Sequence, residues 1–479
     1  MHTMPPPTCL RCLPIRPAPS PRSVLLCHIA LPPAQTAAFS ATTNLSAAVA
    51  KKKQNSHTGP PKRGVKALNI KRTQRVKSGR PPAPGERKAL RKRIVLSNTN
   101  AWEVQGMPDL SDKNITDASL VCRVVGIPGL VVDSLRAVEA FKPTQGWGLF
   151  RRPAALVRKE TLQLGRYIRE VETAEDKKTI RRVVVGERGS GKSTLLLQAM
   201  AMAFVKGWVV INIPDAKDLT IGHTEYGPLF NTNPTQYVQK TYTANLLSQI
   251  SKANKAVLSK LQLSQQHDLP IPIQSNISLD RLADLGARDP DVAYPIFQAL
   301  WAELTATPTK GAARPPILFT LDGINQIMRN SAYLSTDVKP IHAHDLALVR
   351  HFINVLSGAQ ALPNGGIVLA ATCESGKPPS FVLELAVAQS EARGAGAEEV
   401  PQPHPYKAVD QRVLDSMRDV EVLRLKGLDR DEARGIMEYY AASGMLRERV
   451  DEGLVAEKWT LAGGGVVGEL ERGSVRMRV

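Results

Sequence analysis

Eight residues constrain this chain more than any other stretch: Gly186-Glu187-Arg188-Gly189-Ser190-Gly191-Lys192-Ser193. They fit the pattern Gly-x-x-x-x-Gly-Lys-Ser, which means a phosphate cradle when a strand runs into it and a helix leaves it. Both flanks are present. Thr179 to Val185 (TIRRVVV) reads as a buried strand, and Ser193 opens a helical run, STLLLQAMAMAFVK, that Gly207 stops. The glycines let backbone N–H groups turn toward phosphate oxygens with no Cβ in the way. The helix N-terminus adds partial positive charge. The candidate nucleotide-binding residues are therefore Gly186, Glu187, Arg188, Gly189, Ser190, Gly191, Lys192, Ser193 and Thr194. Lys192 is expected to reach the β- and γ-phosphates, and Ser193 to offer its hydroxyl to Mg²⁺.

A magnesium ion also needs a ligand from a neighbouring strand. Pro316 to Asp322 (PILFTLD) is an apolar run ending in a carboxylate, so Asp322 joins Ser193 as a candidate metal-binding residue. In many hydrolysing relatives of such a strand a glutamate follows the aspartate; here the position is Gly323, and Asn325 and Gln326 are weak bases. The expectation is a bound nucleotide that turns over slowly or not at all. Gly366 to Thr372 (GIVLAAT) is a third strand, with Thr372 the candidate to sense a γ-phosphate. Trp208 to Ile213 and Asp419 to Leu425 make two more strands, with helical runs at Pro234 to Leu261 and Asp345 to Leu356. Strands alternating with helices give an α/β fold, a parallel sheet covered on both faces, of the P-loop NTPase type. The base is not legible. The guanine-reading Asn-Lys-x-Asp of small switch GTPases is missing, since the only Asn-Lys is in Asn254-Lys255-Ala256-Val257. That class is excluded, while GTP, GDP and ATP stay open.

At 479 residues the chain exceeds one core, since cores stop growing near ~250–300 residues. Its 43% hydrophobic and 22% charged residues exclude fibrous and wholly disordered chains. The net charge of +19 is not spread evenly: the first 93 residues hold nineteen lysines and arginines and one acid, Glu86, while the rest hold forty-four basic and forty-three acidic side chains. Residues 1–45, with Arg11, Arg16 and Arg22 among Ser, Thr and Ala and no acid, have the composition of a mitochondrial transit peptide. A secretory signal with Ser23–Leu31 as its apolar core is the rival, but that core starts late and lysines follow it. Lys51 to Arg93 is too polar to bury a core, so a disordered basic extension is expected over 46–110. Its charge suits phosphates, hence an rRNA backbone, and no aromatic residue is interleaved to stack on bases. A solvated linker is the competing reading. Three of five cysteines (Cys9, Cys12, Cys27) fall in the leader, leaving Cys122 and Cys373, a usage that fits a reducing compartment such as the mitochondrial matrix. No stretch approaches the ~20 apolar residues of a membrane span, so no membrane partner is expected.

Other segments read as scaffold. His342, His344 and His351 are taken as helix-start and surface residues rather than a metal cluster, with Asp345 as a helix N-cap. Ala386 to Glu399 is taken as a surface loop and Ser111 to Asp117 as a solvated turn. Asp429 to Ser443 is an amphipathic helix capped by Asp429. Val450 to Leu461, a Gly463-Gly464-Gly465 turn and a short helix at Val467–Arg472 complete a small C-terminal helical lid, with Arg472 a candidate sensor of nucleotide. The expected organisation is 111–178 leading into the core, 179–425 the P-loop core and 426–479 the lid.

Several separated pieces together resemble the death-associated protein three family, the P-loop protein of the mitochondrial small ribosomal subunit. They are LFRRPAALVRK (149–159), GERGSGKSTLL, WVVINIPDAKDLT (208–220), LDGINQIM (321–328), LDRDEARGIMEYYAASGML and EKWTLAGGG. The likeness runs from about Leu149 to the C-terminus. It implies an AAA-like fold, bound GTP or GDP with Mg²⁺, and a place in the mitoribosomal small subunit beside rRNA and protein neighbours. By position Gly191, Lys192 and Ser193 inherit phosphate and magnesium roles and Asp322 the Walker B role. The family's usual Gly-Asn near the C-terminal turn is Gly464-Gly465 here. The alternative is an active AAA- or STAND-type matrix NTPase.

Overall fold

Five strands build the central sheet: β1 (Thr179–Gly186), β2 (Val209–Ile213), β3 (Ile317–Asp322), β4 (Gly366–Ala371) and β5 (Glu421–Leu425). In this computed structural model, which describes residues 94–476 apart from 231, 275, 308–312, 375–379 and 398, they lie in the order β5-β1-β4-β3-β2 and are all parallel. The transit peptide expected over 1–45 and the extension as far as Arg93 lie outside the described residues.

Successive side chains on a strand face opposite sides, and here both sides are covered. Ile317, Phe319 and Leu321 of β3 join one core cluster while Leu318 joins the other; Val368 and Ala370 of β4 divide in the same way from Ile367, Leu369 and Ala371. One face is covered by α1 (Gly129–Ala137), α2 (Lys159–Thr173) and α3 (Lys192–Val205). The other is covered by α4 (Lys240–Leu258), α5 (Leu279–Arg288), α6 (Ala293–Thr305), α7 (Ala347–Leu356) and α8 (Phe381–Gly394). Helix α3 has buried residues all round, as its apolar sequence requires. The lid is formed by α9 (Arg430–Ala442), α10 (Glu452–Leu461) and α11 (Val467–Glu471) around a third cluster that includes Phe150, Met437, Tyr440 and Leu470. Asp429 caps α9 in a box with Glu432, as its sequence predicts.

Several expectations need correction. The helix expected from Pro234 starts at Lys240; Gln236–Val238, with an aromatic and a β-branched residue, is instead a strand paired with Gly227–Leu229. Ala386–Glu399 is not a surface loop. Its first half belongs to α8, whose cap is the Ser380 hydroxyl accepting from Leu383 N and which buries Leu385, Ala386 and Val387. Asp345 does not cap α7; Leu346 occupies that position without a side-chain bond, and the Asp345 carboxylate lies 3.4 Å from Arg412. His342 and His344 are buried rather than on the surface, at 3% and 2% exposure. Ser111–Asp117 does turn, but Ile115 within it is buried. Residues 94–110, assigned by composition to the disordered extension, lie along the body: Leu96 is buried and Asn98 N donates to Phe150 O at 2.9 Å.

Candidate functional site

Parallel pairing in register brings the carboxyl ends of β1, β4 and β3 to one edge. Ala371 of β4 is paired with Val184 on one side and Asp322 on the other. The glycine loop, Asp322 and Thr372 therefore meet although up to 186 residues separate them in sequence. Gly191 caps α3 at φ +98°, a left-handed conformation that glycine adopts without strain. A Cβ at Gly186 would stand 2.3 Å from Leu425 O, so the tight approach of β5 also requires glycine.

Within the loop, Lys192 Nζ donates to Gly186 O and Glu187 O, both at 2.6 Å, and the lysine is 7% exposed. Its ammonium therefore stands inside the curl of the loop. The Ser190 hydroxyl is buried with no hydrogen-bond partner, a polar atom left to an incoming acceptor. Ser193 Oγ donates to Asp322 Oδ2 at 2.6 Å. The two residues expected to hold Mg²⁺ are thus side by side, and both offer oxygen, the donor type Mg²⁺ takes. Among the described residues no three His, Cys, Asp or Glu side chains gather into a metal cage. A cation between Ser193 and Asp322 would complete its shell from nucleotide oxygens and water. Thr194 Oγ1 is 3.4 Å from Gln145 Nε2, while Glu187, Arg188 and Gly189 are exposed. Thr372 lies just past β4, with its hydroxyl turned to Val184 O at 3.4 Å rather than toward Ser193. Asn325 is taken up structurally, its Oδ1 accepting from Cys373 N at 2.8 Å.

The lid rests directly on the loop, with Gly468 N donating to Gly189 O at 2.9 Å. Arg472 does not reach the loop; it pairs with Glu469 at 3.4 Å on an exposed face. The cation that does touch the loop from outside is Arg158, buried at the start of α2. Its Nη1 donates to Ser190 O at 3.1 Å and its Nη2 to Lys426 O at 2.9 Å, with Glu160 and Glu432 at 3.5 and 3.6 Å. It lies within the basic stretch 149–159, but only a long-range contact distinguishes it from Arg151 or Arg152. Lys142, which pairs with Asp322, has no sequence signal at all.

Beside Gly191 and Thr194, between core and lid, lies a cavity of ≈ 120 Å³ walled by Trp147, Phe150, Tyr439, Tyr440 and Val467. Phe150 and Tyr440 stack at 5.5 Å. The Glu471 carboxyl at its margin is pushed up by burial, which the Arg476 guanidinium 2.7 Å away partly offsets. Asp215, below Lys142, is likewise raised by burial against the lowering effects of Lys217 N and Lys142. The aromatic walls belong to the third core cluster, which packs the lid beside the glycine loop.

A five-stranded parallel sheet covered by helices on both faces, with a glycine loop joining β1 to the buried helix α3, defines an α/β fold. Sequence comparison then specifies the family. The profile of "Mitochondrial ribosomal death-associated protein 3" matches residues 155–473. The chain is 48% identical over 475 residues to the small ribosomal subunit protein mS29 of Neurospora crassa, covering 98% of both chains. It is 24% identical to the mS29 protein of Schizosaccharomyces pombe over 71% of this chain and 68% of that one. Among solved structures, the ORC2 protein of Aeropyrum pernix in its ADP form aligns over 64% of this chain and 58% of that one, with 15% identity and a TM-score of 0.31. The chain belongs to the mitochondrial ribosomal death-associated protein 3 family, and its place is the mitochondrial matrix. Among the described residues no helix is long and apolar enough to cross a membrane.

Proposed function

We propose that this chain is a structural component of the mitochondrial small ribosomal subunit, of AAA-like P-loop fold, that holds GTP or GDP with Mg²⁺ as part of its own structure. It contacts rRNA through its basic N-terminal region and neighbouring ribosomal proteins through its nearly neutral body. The ribosomal part rests on near-full-length similarity to mS29. The nucleotide part rests on one observation: Ser193 Oγ and Asp322 Oδ2 lie 2.6 Å apart at the mouth of a glycine loop whose lysine is already drawn inside it. Ser193 and Asp322 would hold Mg²⁺, which when bound neutralises phosphate charge. The residue after Asp322 is Gly323, at φ +89° and without a side chain to activate water, so the site suits retention rather than turnover.

A ligand that binds only the folded state stabilises it by ~2.7 kcal/mol at a hundredfold excess over its dissociation constant. The test is a pair of melting curves with native mass spectrometry. Wild type is expected to carry GDP or GTP and to melt higher when it is added; Lys192→Ala should lose the bound mass and the added-nucleotide shift. Equal melting of wild type with and without GDP, GTP or ATP, and no bound mass, would overturn the nucleotide reading. Sustained turnover near ~1 s⁻¹ or above, the low end of ordinary enzyme rates, would favour the active AAA- or STAND-type NTPase instead.

A further inference from the structure

Two donors converge on a single oxygen at the edge of the sheet. Ser193 Oγ and Lys142 Nζ both hydrogen-bond to Asp322 Oδ2. Lys142 thus brings a positive charge to the carboxylate at the place where Mg²⁺ would be held. It is not a chance surface pairing, because the segment carrying it is fixed from several sides. Phe141 is buried and meets Trp147 edge-on at 5.2 Å. Gln145 ties the segment together, its Oε1 accepting from Lys142 N at 2.9 Å and from Trp147 Nε1 at 2.5 Å, while its Nε2 reaches Thr194 Oγ1 on α3 at 3.4 Å. From the lid, Arg476 Nη2 donates to Thr144 O at 3.2 Å. Residues 141–147 therefore form a strap across the mouth of the loop, bound to α3 at one point and to β3 at another. The Lys142 side chain keeps 30% exposure, while that of Asp322 has 8%. The lysine can swing aside; the carboxylate cannot.

We infer that Lys142 is a tethered counter-ion of the phosphate site, one that keeps a nucleoside diphosphate bound when Mg²⁺ is absent. This rests on the nucleotide reading above. In a P-loop site without such a group, loss of Mg²⁺ leaves the strand-end carboxylate facing phosphate oxygens with no cation between them, and like charges in a partly desolvated site repel strongly. Here an ammonium already paired with Asp322 stays in place. Lys142 is a positioning residue in this role, since it acts by neutralising Asp322 and the bound phosphates. It also gives the chain a way to keep its ligand through changes in free Mg²⁺, as a nucleotide serving as part of a fold requires.

The experiment measures binding of the fluorescent probe mant-GDP to the full chain with Mg²⁺ and with EDTA, in wild type, Lys142→Met and Lys142→Arg. The readout is the ratio of the two dissociation constants for each protein. Wild type and Lys142→Arg are expected to lose no more than about threefold in affinity on chelation. Lys142→Met is expected to lose about tenfold or more, the lower end of what close charge pairs contribute. A purely structural lysine would weaken binding equally in both conditions, so equal ratios in wild type and Lys142→Met would overturn the inference. Failure of Lys142→Arg to restore the ratio would overturn it too. Absence of mant-GDP binding by wild type in either condition would overturn the nucleotide reading along with it.

Discussion

His351 stands edge-on to Trp301 at 4.2 Å and to Phe297 at 5.2 Å, with Nε2 buried and unbonded. Burial alone pushes this imidazole down to about 4. In the unfolded chain the ring titrates near ~6.5. Between those values the unfolded chain takes up a proton that the folded chain refuses, so stability rises with pH through this window and is lost as pH falls. The size is at most on the order of 3 kcal/mol for one largely shielded histidine. Replacing His351 by Leu removes the titrating group, so the loss of stability between about pH 6.5 and 4 should shrink by about one proton's worth. Urea midpoints of both proteins across that range decide it, and parallel curves would show that the ring is not shielded as described. His344 is pushed down to about 3 by burial and then by His342 and Arg412 beside it. Residues of this kind show what a sequence can reveal at this scale. The loop Gly186–Ser193 is legible because phosphate binding is local, needing eight neighbours and two flanks. Lys142 and Asp322 are 180 residues apart, and Arg158 reaches Lys426 across 268, so no spacing could announce either contact.

Among the elements, β2 lies at the edge of the sheet, where one side of its backbone has no neighbouring strand. Such edges expose unpaired N–H and C=O groups, and here the pair on Val210 is taken up by a side chain. Asn254 Oδ1 accepts from Val210 N at 2.8 Å and its Nδ2 donates to Val210 O at 2.9 Å, the same pair of bonds a strand would supply. Reaching that position takes Asn254 out of helical geometry within α4, to φ −102° and ψ 16°. Asn254→Leu should therefore leave two buried backbone groups unpaired and cost ~2–6 kcal/mol, at ~1–3 kcal/mol for each. Chemical denaturation measures the cost, and a change under ~1 kcal/mol would mean that water takes over both bonds. The sequence discloses β2, β3 and β4 well, because strands covered on both faces are largely apolar, and it discloses β1 through the Val183-Val184-Val185 run ahead of the glycine loop. It discloses α8 poorly. That helix is only partly buried and runs through Ala, Glu and Gln toward a proline-rich stretch, so composition resembles a loop until the contact of Ser390 Oγ with Val420 O, at 2.6 Å beside β5, is known.

For the whole molecule, charge is the property the fold does not explain. The body beyond residue 93 is nearly balanced, whereas residues 51–93 hold sixteen lysines and arginines against Glu86 alone. Charge confined in this way gives little to the stability of a neutral domain but much to its attraction for a polyanion. If the region serves rRNA, its contribution is mostly counterion release, and it must weaken as salt rises. A chain lacking residues 51–93 should then melt as wild type does and still bind nucleotide, while its affinity for mitochondrial small subunits falls. The discriminating quantity is the slope of log affinity against log salt, measured by sedimentation with subunits stripped of the endogenous protein. Deletion should flatten it by roughly 0.7–0.9 for each phosphate contact removed. A lower affinity with an unchanged slope would mean that the region meets protein rather than RNA. An unchanged affinity would assign the attachment to the neutral body alone, whose contacts the salt dependence would leave almost untouched.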